Sequence, residues 1–182
     1  MTGVEKATLV VALLLGVAWY LSYSAARLDR LHARVEGTLA ALDAQLVRRA
    51  EATLELVNSG ALDAASALIL AGAASESLAT TDQHASGRET VESDLSEALG
   101  VALTPDVLAH LREDGTVVQD VLDRVHAAGT RVQLARRFHN DAVIDVRRVR
   151  RKASTRLFRL AGHAELPRTF EFDDELPPGL RE

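Results

Sequence analysis

Apolar residues return at steps of three and four along two long stretches of the chain. In the second half, Val118, Val121, Val125, Ala128, Val132, Ala135, His139, Ala142, Val146, Val149 and Ala153 form such a series. The spacing places them on one face of a helix, and holding it for more than four heptads predicts a single long helix over Thr116–Ala153. In the first half, Leu28, Leu31, Val35, Leu39, Leu42, Leu46, Ala50, Leu54 and Val57 follow the same rule. Each seam needs a partner, because a helix with one apolar stripe is stable only when the stripe is covered.

The first seam is preceded by a run of another kind. From Ala7 to Tyr23 (ATLVVALLLGVAWYLSY) no residue is charged, and extending the run to Ala26 gives a helix of about 30 Å. That length can cross a bilayer. Trp19, Tyr20 and Tyr23 gather at its end, where amphipathic rings favour the headgroup level. A cleaved secretory signal is the competing reading, since Ser24, Ala25 and Ala26 are small residues of the kind found at cleavage sites. Arg27, Arg30 and Arg34 follow the run and outnumber Lys6 before it. The positive-inside rule therefore expects the following domain in the cytoplasm.

Between the seams the pattern breaks at legible places. Asn58, Ser59 and Gly60 read as a helix stop, because glycine can take the left-handed conformation of a C-terminal cap. Residues 61–80 (ALDAASALILAGAASESLAT) predict an alanine-rich helix, too short in its apolar part to span a membrane. Thr81–Gly87 reads as a loop. Glu89–Leu111 reads as helix, interrupted at Thr104 and Pro105, where proline can open a new first turn. Arg112–Gly115 turns the chain into the long helix, in which Gly129 is expected to cost about 1 kcal/mol relative to alanine. Beyond it, Thr155–Ala161 reads as a short helix ended by Gly162. The tail carries Phe170 and Phe172 in alternation before turning acidic and proline-rich, and is expected to lie along the bundle or to be disordered.

Composition narrows the fold class. Apolar residues make up 47% of 182 residues but aromatics only 4%, so the interior is built from Ala, Leu and Val, which suits closely packed helices better than a β-sandwich. The absence of cysteine excludes disulfides, thiolate metal sites, a cysteine nucleophile and lipidation through a thiol. Nineteen arginines against Lys6 and Lys152 read as a bias of a GC-rich bacterial genome. The net charge of −5 hides an asymmetry. Residues 76–126 hold eleven acids and three arginines, whereas 131–159 hold ten basic residues and two acids. Acidic and basic helices packed side by side would explain this, and a basic end facing an anionic surface is the sharper alternative.

Arg131–Val143 (RVQLARRFHNDAV) resembles the R-I-x-x-A-R-x-F/Y-Y-N-D-A-V segment of the LemA family of bacterial membrane-anchored helical proteins. Ala41–Arg49 (ALDAQLVRR) resembles that family's I-D-V-Q-L-K-R-R segment, and Leu95–Leu99 (LSEAL) stands where the family has a comparable short stretch. The order of elements is also similar over nearly the whole chain, down to Leu157, Phe158 and a phenylalanine-bearing tail. Three features depart from the pattern. His139 replaces the usual tyrosine, Ala52–Leu54 lacks the expected proline, and Val146–Ser154 (VRRVRRKAS) lacks the family's F-P ending. The resemblance thus implies a divergent member with an extended long helix. It also implies an adaptor or structural role rather than a characterised enzymatic activity.

Candidate chemistry is sparse. His139, Asn140 and Asp141 are consecutive, so a helix turns them in different directions, and they are expected to serve as buried polar groups that fix register. Asp123 and His126 have the acid-x-x-His spacing of di-metal bundles, but no second copy exists, and Asp106 and His110 are spaced wrongly. His84 beside Ser86 lacks any triad or elbow spacing. No catalytic residue, cofactor or metal site is assigned. The basic run Arg147, Arg148, Arg150, Arg151 and Lys152 flanks the continuing seam at Val146 and Val149, and is the candidate surface for anionic lipid or a protein partner. Without aromatic residues in the run, nucleic acid is the weaker expectation.

The sequence therefore predicts an all-α fold, an antiparallel four- to five-helix bundle with an N-terminal transmembrane helix. Residues 1–26 form the anchor, 27–162 the bundle and 163–182 the tail. The expected role is a single-pass membrane scaffold or interaction module, able to form a homo-oligomer. The alternative is a small-ligand sensor or enzyme with a polar pocket around His139, Asn140 and Asp141.

Overall fold

The structure, a computed structural model, describes residues 2–80, 87–113, 115–152, 158 and 165–180. Five α-helices follow one another: α1 (Gly3–Asn58), α2 (Ala64–Ala79), α3 (Arg88–Ala102), α4 (Pro105–Glu113) and α5 (Thr116–Arg150), with a 3₁₀ turn at Pro178–Leu180. Among the described residues there is no strand. The chain divides into two compact units, one of residues 1–37 and 140–168, the other of residues 38–139 and 169–182. Both α1 and α5 contribute to each.

In the first unit α1 begins with the apolar run. It is long and apolar enough to cross a membrane, with a mean hydropathy of 1.8 over its best window, none of which is buried against protein. Leu9, Leu13, Leu14, Leu15 and Trp19 all present more than half of their surface. Water does not tolerate such a face on a lone helix, so the run is suited to lipid. Just beyond it, Leu31 and Val35 pack with Ala142, Val143 and Val146 of α5. Arg34 and Asp145 lie 3.5 Å apart on the outside of this contact.

The second unit holds the main core. Leu56, Leu70, Leu95, Leu99, Leu103 and Leu108 are fully buried in one cluster drawn from α1, α2, α3 and α4, and Val121, Leu122 and Val125 of α5 close it. A smaller cluster joins Leu42 and Leu46 of α1 to Val132 of α5 and Phe170 of the tail. Position falls on α5 as it rises on α1: Thr38 meets His139, and Glu55 meets Arg124. The two long helices are therefore antiparallel, and the two seams read from sequence face each other.

Helix ends follow local chemistry. Gly60 has φ of 74°, which an L side chain resists, and so stops α1 where expected. Asp63 caps α2, its Oδ1 accepting from the backbone N–H of Ala65 at 2.9 Å and of Ser66 at 3.1 Å. The expected break at Thr104 and Pro105 separates α3 from α4. The long helix ends earlier than the seam implied. Arg151 and Lys152 leave it as a turn and a bend, with the Lys152 N–H donating to the Val149 carbonyl three residues back, a 3₁₀ tightening common at helix ends. The expected loop at 81–86, and most of the short helix expected over Thr155–Ala161, lie outside the described residues.

Residues 165–177 form neither helix nor strand before the final turn, and exposure alternates from residue to residue along 170–176, as in an extended segment. Phe170, Leu176 and Leu180 are buried, while Glu171, Asp173 and Glu175 are exposed. An extended backbone sends alternate side chains to opposite faces, so the tail shows the bundle an apolar edge and the solvent an acidic one.

Candidate functional site

The basic run splits by environment. The Arg147 Nε donates to the Pro167 carbonyl at 3.0 Å, and Arg150 Nη1 to the Glu165 carbonyl at 2.7 Å, so both hold the start of the tail. Arg148 is 74% exposed, with Asp145 3.9 Å away, and Arg151 and Lys152 are exposed. All five belong to the unit that contains the apolar run. Because α5 runs antiparallel to α1, its basic end lies beside the first turns after that run, near Arg27 and Arg30, which are also exposed.

His139, Asn140 and Asp141 are not brought to one point. His139 is 2% exposed, and its Nδ1 stands 3.4 Å from Thr38 Oγ1 of α1. Asn140 is half-buried. Asp141 is exposed, a correction to its expected burial: two residues along a helix turn a side chain about 200° away from the seam. Asp123 is exposed and His126 half-buried, and among the described residues no three His, Asp or Glu side chains gather as metal ligands. His84 lies outside the described residues.

The most elaborate polar arrangement is one that the sequence reading did not single out. Glu92 of α3 has no exposed surface. Its Oε2 accepts from Arg49 Nη2 of α1 at 2.7 Å, and its Oε1 from Ser77 Oγ of α2 at 2.8 Å. Arg88 Nε lies 3.1 Å from Oε1 without the alignment of a hydrogen bond, while Arg88 Nη1 donates to the Ser77 carbonyl at 3.0 Å. Arg49 also donates to Ser96 Oγ and to the Glu92 carbonyl, both at 2.9 Å. Asp43 stands 3.5 Å from Arg88 and is the partly exposed member of the cluster. Burial pulls the Arg49 guanidinium below its ordinary value, and Glu92 opposes that pull. A buried glutamate shared by two arginines ties α1, α2 and α3 together. The legible signal was the spacing of Arg88, Glu92 and Ser96, a polar stripe at steps of four beside Leu95 and Leu99.

The tail completes this region. The centre of the Phe172 ring lies 5.4 Å from the Arg49 guanidinium carbon and 5.8 Å from that of Arg136, so two cations meet one ring. Phe170 meets Phe172 edge to face at 5.5 Å between centroids. Arg136 Nε donates to Asp174 Oδ2 at 2.7 Å, and Gln133 Nε2 to the Asp174 carbonyl at 2.7 Å. On the other side, the Glu171 N–H donates to Glu89 Oε1 at 2.6 Å, and the Asp173 N–H to Ser93 Oγ at 3.1 Å. Gly129 leaves room on α5 for Leu176, whose side chain would overlap any Cβ there.

Next to the tail, Leu134 and Phe138 of α5 stand about half-exposed at the rim of an apolar recess floored by Ala41 and Thr38 of α1. The chemistry of the whole site is therefore that of holding and docking: paired charges, guanidinium–aromatic stacking and apolar pockets. No family model matches the chain, and neither a curated protein nor a solved structure matches it.

Proposed function

We propose that this chain is a membrane-anchored, non-enzymatic interaction module of the LemA type, tethered by α1 and docked on anionic lipid through the basic end of α5. The observation that carries the reading is the presence of Arg148, Arg151 and Lys152, all exposed, in the same compact unit as the apolar run of α1. Exposed basic residues next to a membrane gain about 1 kcal/mol each from an anionic leaflet. Arg27 and Arg30 add to the same patch. The family likeness rests on Arg131–Val143 and Ala41–Arg49, and these two segments supply both Thr38-side packing and the Arg49 and Arg136 positions that hold the tail. The cytoplasmic side is part of the proposal, from the arginines that follow the span.

A fragment of residues 27–182 tests the lipid contact, since none of the described residues it lacks is buried. It should co-sediment with vesicles containing phosphatidylglycerol and not with phosphatidylcholine alone, and added salt should release it. Arg148→Gln, Arg151→Gln and Lys152→Gln together should abolish the difference. Equal sedimentation with both vesicle types would defeat the docking.

A further inference from the structure

The tail is held differently from the helices of the second unit. No helical or strand ladder fixes it. Instead, side chains of the bundle grip its main chain at successive points: Glu89 and Ser93 of α3 accept from the N–H groups of Glu171 and Asp173, and Gln133 of α5 donates to the Asp174 carbonyl. Further along, Arg112 of α4 donates to the Gly179 carbonyl at 2.7 Å. Contacts of this kind recognise an extended backbone whatever its sequence, as strand-adding peptide sites do. Selectivity then comes from the alternate side chains. Phe170 enters the Leu42, Leu46 and Val132 cluster, Phe172 meets the guanidinium groups of Arg49 and Arg136, Asp174 meets Arg136, and Leu176 fills the space that Gly129 leaves.

We propose that the groove between α1, α3 and α5 is a peptide-recognition site for an extended acidic segment of the pattern aromatic-x-aromatic-x-acid-x-leucine, that residues 170–176 occupy it as an internal ligand, and that a partner protein bearing the same pattern displaces them. Charge complementarity commits the occupant. The groove contributes Arg49 and Arg136, and the segment seated on it is acidic at Glu171, Asp173, Asp174 and Glu175. A basic or purely apolar segment would leave Arg136 without its carboxylates. The inference rests on the reading of the chain as an interaction module and is independent of lipid docking, so it is tested in neutral lipid.

The intact chain is placed in phosphatidylcholine nanodiscs, with Phe172→Ala and Leu176→Ala in its own tail to loosen the internal ligand. A fluorescent peptide of residues 168–180 should then bind saturably, by anisotropy. Carrying the same two alanines, the peptide should bind at least about tenfold more weakly, as expected for anchors lost from filled pockets. The wild-type chain should require far more peptide, because its tethered tail competes at an effective concentration on the order of millimolar. Arg136→Glu in the chain should weaken the native peptide, and Asp174→Arg in the peptide should restore binding. Equal binding of the native and double-alanine peptides, or none to the variant chain with its helical circular dichroism intact, overturns the proposal. If that variant loses helix, the wild-type chain decides. Millimolar peptide must then speed amide exchange at Glu171 and Asp173, and unchanged exchange overturns the proposal as well.

Discussion

Glu92 faces two arginines and all three side chains are buried, so the energetics differ from those of an exposed ion pair. The pair Arg124–Glu55, with both side chains about half-exposed, contributes little despite its 2.7 Å contact, because water screens it. Around Glu92 the arrangement is one in which removal of a single member leaves buried charge uncompensated. Glu92→Gln keeps the shape but sets Arg49 and Arg88 against each other, with Asp43 near Arg88 and Asp174 acting on Arg49 as the remaining carboxylates. Loss of roughly 3–5 kcal/mol is expected in urea unfolding. Arg49→Met should cost less, since Glu92 retains Arg88 and Ser77. A Glu92→Gln chain as stable as wild type would show that the charge is not what ties these helices. Sequence alone does not single out Glu92, because the spacing of Arg88 and Glu92 is equally that of a solvated i,i+4 pair. Only the arrival of Arg49 from another helix distinguishes the two cases.

For the elements, boundaries were the most local property and so the most legible. Gly60, Asp63 and Pro105 act through their own backbone conformation or through partners two or three residues away. Asp63 illustrates the pH dependence that follows. Hydrogen bonds from Ser66 hold its carboxyl below the ordinary aspartate range. A group with a lowered folded value stabilises the fold above the unfolded value, and the contribution disappears as pH falls through the folded one. Asp63→Ala should therefore lower the Tm at neutral pH, with the difference from wild type shrinking in strong acid, whereas Asp63→Asn should retain much of the cap. Thermal melts of the three proteins across that range check this. The end of α5 was less legible, since the seam continues through Val149 to Ala153 while the helix closes at Arg150.

In the molecule as a whole, the unburied run of α1 and the packed core make separate demands. Deleting residues 2–26 should leave the thermal melt of the remainder unchanged, because no residue of that segment is buried. The same deletion should leave the protein on the membrane pellet only through the basic contact, so that added salt moves it to the supernatant, whereas the full chain stays in the pellet. Intact-mass measurement of the membrane-bound protein should find the N-terminal run retained. A chain beginning near Arg27 would instead mean a cleaved signal. The tail is the converse case. Its alternation of Phe170, Phe172 and Leu176 was visible in the sequence, yet the same pattern fits either a docked or a disordered segment, and only the groove decides between them.

Period, caps and composition are one-dimensional quantities, and they sufficed for an all-α fold of four to five helices, two facing seams and an apolar N-terminal run. Each depends on neighbours within a turn or two, which the chain carries with it. Other properties depend on groups far apart in sequence. Burial of Glu92 needs Arg49 forty-three residues away. The seat of Phe172 needs Arg49 and Arg136, carried on two different helices, to meet at its ring. Tertiary structure decided these, because desolvation and charge pairing depend on which surfaces meet.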